Sequence, residues 1–236
     1  MSLRTLKVID EPVLRGREYV FEDRVDAGKR LARKLVEVLG LNVEGNVLAI
    51  PAGGVPVGWV VARNLRLPLD VFVVRKVQVP WNTEAGFGAV GWDGTVILNQ
   101  KILESLHLTQ KEIEACIIKA KRNVEERIKK FRGCKPFPNL KGKTAILVDD
   151  GLATGFTMAT SVEILAKHQP QKIIVATPTG SIDAVEFLAS NQKIDLIVCL
   201  NIRSGFIFAV ADAYKNWYDL TDEEVLKYLR NSIKQT

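Results

Sequence analysis

Cysteine and histidine are scarce here: three Cys and two His in 236 residues. Cys116, Cys134 and Cys199 lie far apart, with no C-x-x-C pair and no metal-ligand spacing. Reduced thiols are the simple reading, and a disulfide or zinc scaffold is not expected. With only His107 and His168 available, a histidine-based catalytic machine is not expected either. His168 falls near a predicted helix end, where a dipole or solvent role suffices. No apolar run is long enough to span a bilayer. The opening Met-Ser-Leu-Arg-Thr-Leu-Lys-Val-Ile-Asp-Glu is too charged, and its apolar run too short, for a signal peptide. A cytoplasmic location without a membrane partner is therefore expected. The G-x-x-x-x-G-K phosphate loop is missing. Gly53, Gly54 and Gly58 do not form G-x-G-x-x-G, which sets aside a nicotinamide-dependent enzyme.

What is present is a chain 47% hydrophobic and 25% charged, enough for one sizeable core. The net charge of +6 suits either a nucleic-acid surface or an enzyme for a polyanionic small molecule, and does not choose between them. The stretch from Lys143 to Thr160 is the most informative. An apolar strand, Ala145 to Val148, ends in two acids, Asp149 and Asp150, followed by Gly151-Leu-Ala-Thr-Gly-Phe-Thr157 and a helix. Loop amides, hydroxyls and a helix N-terminus attract phosphate. Two adjacent carboxylates can accept hydrogen bonds from two ribose hydroxyls. The plainer alternative is a strand-loop-helix joint with Asp150 as a cap, but such a joint does not require the repulsion between adjacent acids.

Around this stretch the chain alternates strands and helices, which implies a mainly parallel sheet. A helix is expected from Asp26, with Ala27, Leu31, Leu35, Val38 and Leu39 as its apolar stripe and Gly40 as its stop. Val47–Pro51 reads as a buried strand running into Ala52-Gly53-Gly54 and a helix through Arg66. Asp70–Arg75 reads as a strand exiting into Arg75-Lys76, two cations on the ligand edge of the sheet. Residues 77–90, with Pro80, Gly86 and Gly88, read as a mobile active-site loop, the alternative being an ordered hairpin with a turn at Asp93-Gly94. Thr109 to about Phe131 is a long helix opening on a capping box, Thr109-Gln-Lys-Glu112. Its basic residues lie mostly off the buried stripe and make a solvated face. Lys172–Thr177 is a strand, Pro178–Ser181 a turn, Ile182–Ser190 a helix and Asp195–Leu200 a strand. Phe206, Phe208, Trp217 and Tyr218 follow, read as core rather than ligand-stacking groups, and a second capping box, Thr221-Asp-Glu-Glu224, opens a short helix.

The run Ile146-Leu-Val-Asp-Asp-Gly-Leu-Ala-Thr-Gly-Phe-Thr157 resembles the signature of type I phosphoribosyltransferases, which bind 5-phosphoribosyl diphosphate (PRPP). Phe21–Gly28, Val74–Pro80, Gly86–Val90 and Trp217–Val225 resemble a group of predicted phosphoribosyltransferases over most of the chain. The resemblance implies a doubly wound, mainly parallel five-stranded α/β sheet. The core would be 26–98 with 139–200, the helical insertion 99–138, and the hood over the acceptor 1–25 with 201–236.

The resemblance also implies an activity and a site. A 5-phosphoribosyl group would pass from PRPP to a nitrogen acceptor, a nucleobase-like molecule, with release of pyrophosphate. Gly151, Leu152 and Ala153 to Thr157, including Thr154, Gly155 and Phe156, would hold the 5′-phosphate. Asp149 and Asp150 would grip the ribose hydroxyls around Mg²⁺, itself bound mainly through PRPP and water. Ala52, Gly53 and Gly54 would take pyrophosphate, with Arg75 and Lys76 neutralising it. In 6-oxopurine enzymes the loop position occupied here by Ala153 is an Asp, so a 6-oxopurine acceptor is not expected. A general acid or base would then come from elsewhere; Glu84 is the candidate, a plain surface acid the equal alternative. A homodimer is implied and nucleic acid is not expected as a partner. The rival reading is a non-catalytic PRPP-sensing regulator that binds nucleic acid.

Overall fold

The computed structural model describes residues 7–205 and 208–233, with the side chains of residues 83, 84, 232 and 233 left aside. The chain forms two compact units: Phe72–Pro136, and the described residues on either side of that segment.

The larger unit is built on a parallel sheet. In chain order its strands are β1 (Val8–Ile9), β2 (Gly45–Ala49), β3 (Leu69–Val71), then, beyond the other unit, Thr144–Val148, Lys172–Ser181 and Leu196–Arg203. Counting the three strands of the other unit as β4 to β6, these last are β7, β8 and β9. The spatial order is β1-β9-β8-β7-β2-β3. Every neighbouring pair is parallel, as the alternation of strands and helices predicts. The sheet has six strands rather than the expected five. The sixth is β1, a two-residue edge strand too short to show a period in the sequence.

The helices are α1 (Arg24–Leu39), α2 (Gly54–Leu65), α5 (Phe156–Ala166), α6 (Ile182–Ala189) and α7 (Asp222–Ile233), with α3 and α4 in the other unit. Alternate residues of a strand face opposite sides. Ile146, Val148, Ile174, Ala176, Val198 and Leu200 share one buried cluster with Leu31, Leu35, Val57 and Val61 of α1 and α2. The intervening Leu147, Val175 and Ile197 are equally buried, and α5 and α6 pack on these strands. Both faces are thus covered, which is why the strands read as continuous apolar runs. Helix α1 starts two residues before the expected Asp26, because Asp23 caps it by accepting from the Asp26 amide at 2.8 Å. Gly40 ends it at φ 75°. Val38 is not on the buried stripe; it is 36% exposed.

The other unit is a three-stranded antiparallel sheet, β4 (Val74–Val79), β5 (Asn82–Gly91) and β6 (Val96–Leu98), with α3 (Gln100–Leu106) and α4 (Gln110–Arg132). The mobile-loop reading of 77–90 gives way to its alternative. Val77, Val79, Phe87, Ala89 and Val90 are buried, and α4 packs on β4 and β5. The glycines of β5 hide this alternation in the sequence. Gly88 sits where a side chain would lie 2.7 Å from Leu98 Cδ2. Asp93 and Gly94 do supply the next turn, Gly94 at φ 78°. Helix α4 opens on the expected capping box, with both reciprocal bonds between Thr109 and Glu112.

Candidate functional site

Strands β2 and β7 are neighbours in parallel register, Ala49 opposite Val148. From β2 the chain moves one way across the sheet, to β3; from β7 it moves the other way, through β8 to β9. The gap at the carboxyl ends of β2 and β7 is therefore a topological switch point, where open α/β sheets bind ligands. Both phosphate-type segments open into it.

After β2 the chain turns through Ile50, Pro51, Ala52 and Gly53, with a cis peptide between Pro51 and Ala52. The Ile50 amide donates to Val148 O at 2.9 Å, the Gly54 amide to Ile50 O at 3.1 Å and the Val55 amide to Ala52 O at 3.1 Å. A methyl group on Gly53 would overlap the Asp150 carboxylate, and one on Gly54 would lie 2.7 Å from Val148 O. These glycines are demanded by close approach, not by φ: Gly53 has φ −60°. The turn and the acidic pair thus meet.

Asp149 Oδ1 accepts from the Asp150 amide at 2.9 Å. Burial, and then the adjacent Asp150 charge, push the Asp149 carboxyl well above the usual range. Burial also raises Asp150, with the Arg24 guanidinium pulling the other way. Arg24 Nε donates to Asp150 Oδ2 at 2.9 Å, the two side chains being only 8% and 14% exposed. The buried Tyr214 hydroxyl donates to Asp150 O at 2.6 Å. Arg24 and Tyr214 are absent from the sequence-derived site. One signal for Arg24 was legible: with Gly28, Leu31 and Leu35 it falls at helical spacing, a charge on the apolar stripe.

The loop beyond the pair is held by strand β8, which runs through Pro178–Ser181 where a turn was expected. Leu152 N donates to Thr179 O at 3.0 Å and Ser181 N to Leu152 O at 2.9 Å. Ser181 Oγ donates to Ala153 O at 2.7 Å while accepting from Ala184 N at 3.1 Å, the expected helix cap. Loop carbonyls are thereby turned toward β8. Ala153, Thr154, Phe156 and Thr157 are exposed, Leu152 and Gly155 buried. Gly155, at φ 74°, is the N-cap of α5, and no side chain caps that helix. An uncapped N-terminus next to small exposed residues can receive an anion.

Arg75 and Lys76 lie elsewhere than expected. They are consecutive residues inside antiparallel β4, paired with Val90 and Ala89, and do not end a parallel strand. Their side chains leave the sheet on opposite faces, Arg75 half-buried and Lys76 exposed. The Glu84 side chain and Phe206 lie outside the described residues.

An acidic pair and an uncapped helix N-terminus at the switch point of a doubly wound sheet define a ligand-binding type of α/β protein. The chain belongs to the phosphoribosyl transferase domain family, whose sequence model matches residues 21–184. It is similar to two Mycobacterium tuberculosis proteins, from strains CDC 1551 / Oshkosh and ATCC 25618 / H37Rv, both provisionally named phosphoribosyl transferases. Each is 39% identical over 210 residues, 89% of this chain. The matched segment spans 46% of those proteins, so this chain corresponds to less than half of their length. The crystal structure of TT1426 from Thermus thermophilus is similar at 34% identity and a TM-score of 0.75, covering 89% of this chain and 98% of that one.

Proposed function

We infer that this chain binds PRPP and transfers its 5-phosphoribosyl group to a nitrogen acceptor, releasing pyrophosphate. The reading rests on one observation: the Gly53 turn and the Asp149–Asp150 pair touch at the switch point. Diphosphate and ribose need neighbouring sites of these two kinds. Departure of pyrophosphate from C1′ puts positive charge on the ribose ring and negative charge on the leaving group, so the protein acts by positioning and electrostatics. In this reading the α5 N-terminus with Thr154 and Thr157 receives the 5′-phosphate. Asp149 and Asp150 accept from the ribose hydroxyls and face the positive charge that builds beside them. Ala52, Gly53 and Gly54 take the pyrophosphate. The role of Arg75 and Lys76 in neutralising it is a proposal from the sequence alone, and R75A and K76A test it through pyrophosphate affinity.

The donor set fits Mg²⁺ of the kind held mainly by substrate oxygens and water. Asp149 and Asp150 are adjacent half-buried carboxyls whose charges oppose each other, and a nearby cation relieves that repulsion. When bound, the ion would neutralise diphosphate oxygens. Ala153, exposed at the loop, offers no carboxyl to a base, so the acceptor is assigned to nucleobases other than 6-oxopurines. Titration calorimetry with PRPP and Mg²⁺ tests the site: D149N combined with D150N should abolish binding, and unchanged affinity would sink the assignment. Pyrophosphate release over a nucleobase panel tests turnover; PRPP-dependent nucleic-acid binding without release would favour a sensor instead.

A further inference from the structure

We propose that Arg24 is the positioning residue of the ribose subsite and couples its occupancy to the C-terminal segment around Trp217. The proposal rests on the PRPP reading given above. Three contacts carry it. The Nε edge of Arg24 holds Asp150 Oδ2 at 2.9 Å. Its Nη1 donates to Tyr218 O at 2.9 Å. Its guanidinium carbon stands 3.8 Å from the centre of the Trp217 ring, and Trp217 in turn packs at a tilt against Tyr214, ring centres 5.2 Å apart. Tyr214 closes the circuit by donating to Asp150 O.

A buried arginine has to be paired on its polar edges, and these two polar contacts of Arg24 are specific. One is to the carboxylate assigned to a ribose hydroxyl. The other is to the backbone of a segment 194 positions away in sequence. The planar fork fixes both at once, with the aromatic ring filling the remaining face. Arg24 therefore holds the Asp150 carboxyl in one orientation, with Oδ2 committed to the guanidinium. A ribose that draws on Asp150 loads the same guanidinium that holds Tyr218. Ligand at the pair and order in residues 214–222 then stabilise each other, and the effect is reciprocal.

The variants are R24Q, which loses the charge and shortens the side chain but keeps a hydrogen-bonding amide, and R24K, which keeps the charge and loses the fork. In the ligand-free full chain, R24Q should speed hydrogen exchange across residues 214–222, and R24K should do so less. With Mg²⁺, R24Q should weaken PRPP binding roughly 10- to 100-fold, the usual effect of losing a residue that orients a ligating group. R24K should fall between. Inorganic pyrophosphate, which has no ribose, should bind R24Q and the unaltered chain equally. PRPP should slow exchange in 214–222 of the unaltered chain and not of R24Q. Equal loss for PRPP and pyrophosphate would mean general damage and overturn the proposal, as would R24Q affinity for PRPP within twofold of the unaltered chain. Failure of the unaltered chain to bind PRPP would overturn the underlying functional reading, and the ribose role with it. If R24Q does not fold, R24K decides alone by the same ratio of PRPP to pyrophosphate affinity.

Discussion

Asp149 is held where burial and the Asp150 charge both resist its ionisation. A carboxyl whose pKa is raised on folding binds more protons native than unfolded. Its contribution is favourable below the ordinary carboxyl value and is lost as pH rises through the raised one. D149N, which cannot ionise and can keep the bond from the Asp150 amide, should therefore raise the ligand-free melting temperature at pH 7. The gain should vanish below about pH 4, the ordinary carboxyl range. Each 1 kcal/mol recovered would appear as about 2–4 °C in a thermal scan. The same variant should lose PRPP binding, so stability and ligand binding should move in opposite directions. Gly53 allows no such compromise: with no room for a methyl group beside Asp150, G53A must displace the acid or the turn. It should bind PRPP at least tenfold more weakly, by calorimetry. The thiols separate by burial. Cys134 is exposed, whereas Cys199 is buried, and burial pushes the Cys199 thiol up. A thiol reagent should label Cys134 in the native chain and reach Cys199 only on unfolding.

At the scale of elements, the N-cap of α4 offers a clean test. T109A removes both its bond to the Glu112 amide and that from its hydroxyl to the Glu112 carboxylate. It should cost about 1 kcal/mol, read as faster amide exchange over residues 110–116. This helix and the parallel strands were legible because their signals are local: a capping box, a 3.6-residue stripe, apolar runs between glycine turns. The β4–β5 hairpin was not. Its alternation is broken by Gly86 and Gly88 and by a register shift at Gln78, so 77–90 looks aperiodic until α4 is laid against it. The length of β8 was hidden for a related reason. Pro178 and Gly180 are turn residues by propensity, yet the ladder to β9 continues through Thr179, Gly180 and Ser181. The acidic pair and the Gly53 turn could be named from the chain alone, because each is a contiguous motif. Arg24 and Tyr214 could not be assigned, since their roles depend on contacts 126 and 64 positions away.

For the molecule as a whole, binding at the switch point should appear as added stability. PRPP at 100 times its dissociation constant adds about 2.7 kcal/mol if it binds only the native state. That shifts melting by roughly 5–11 °C for a chain of this size, and no shift at millimolar PRPP with Mg²⁺ would count against the functional reading. The clamp of β8 on the loop has a further consequence. Leu152 is bonded through its backbone to both Thr179 and Ser181, Ala153 O accepts from Ser181 Oγ, and Leu152 bridges Gly180 as an extra rung of the sheet. The spacing from Asp150 to α5 is thus ruled off against a neighbouring strand like marks on a gauge. A residue added or deleted there would break the match of Leu152 and Ala153 to β8. In that loop an insertion or deletion should therefore cost more stability than exchanging one side chain for another at constant length.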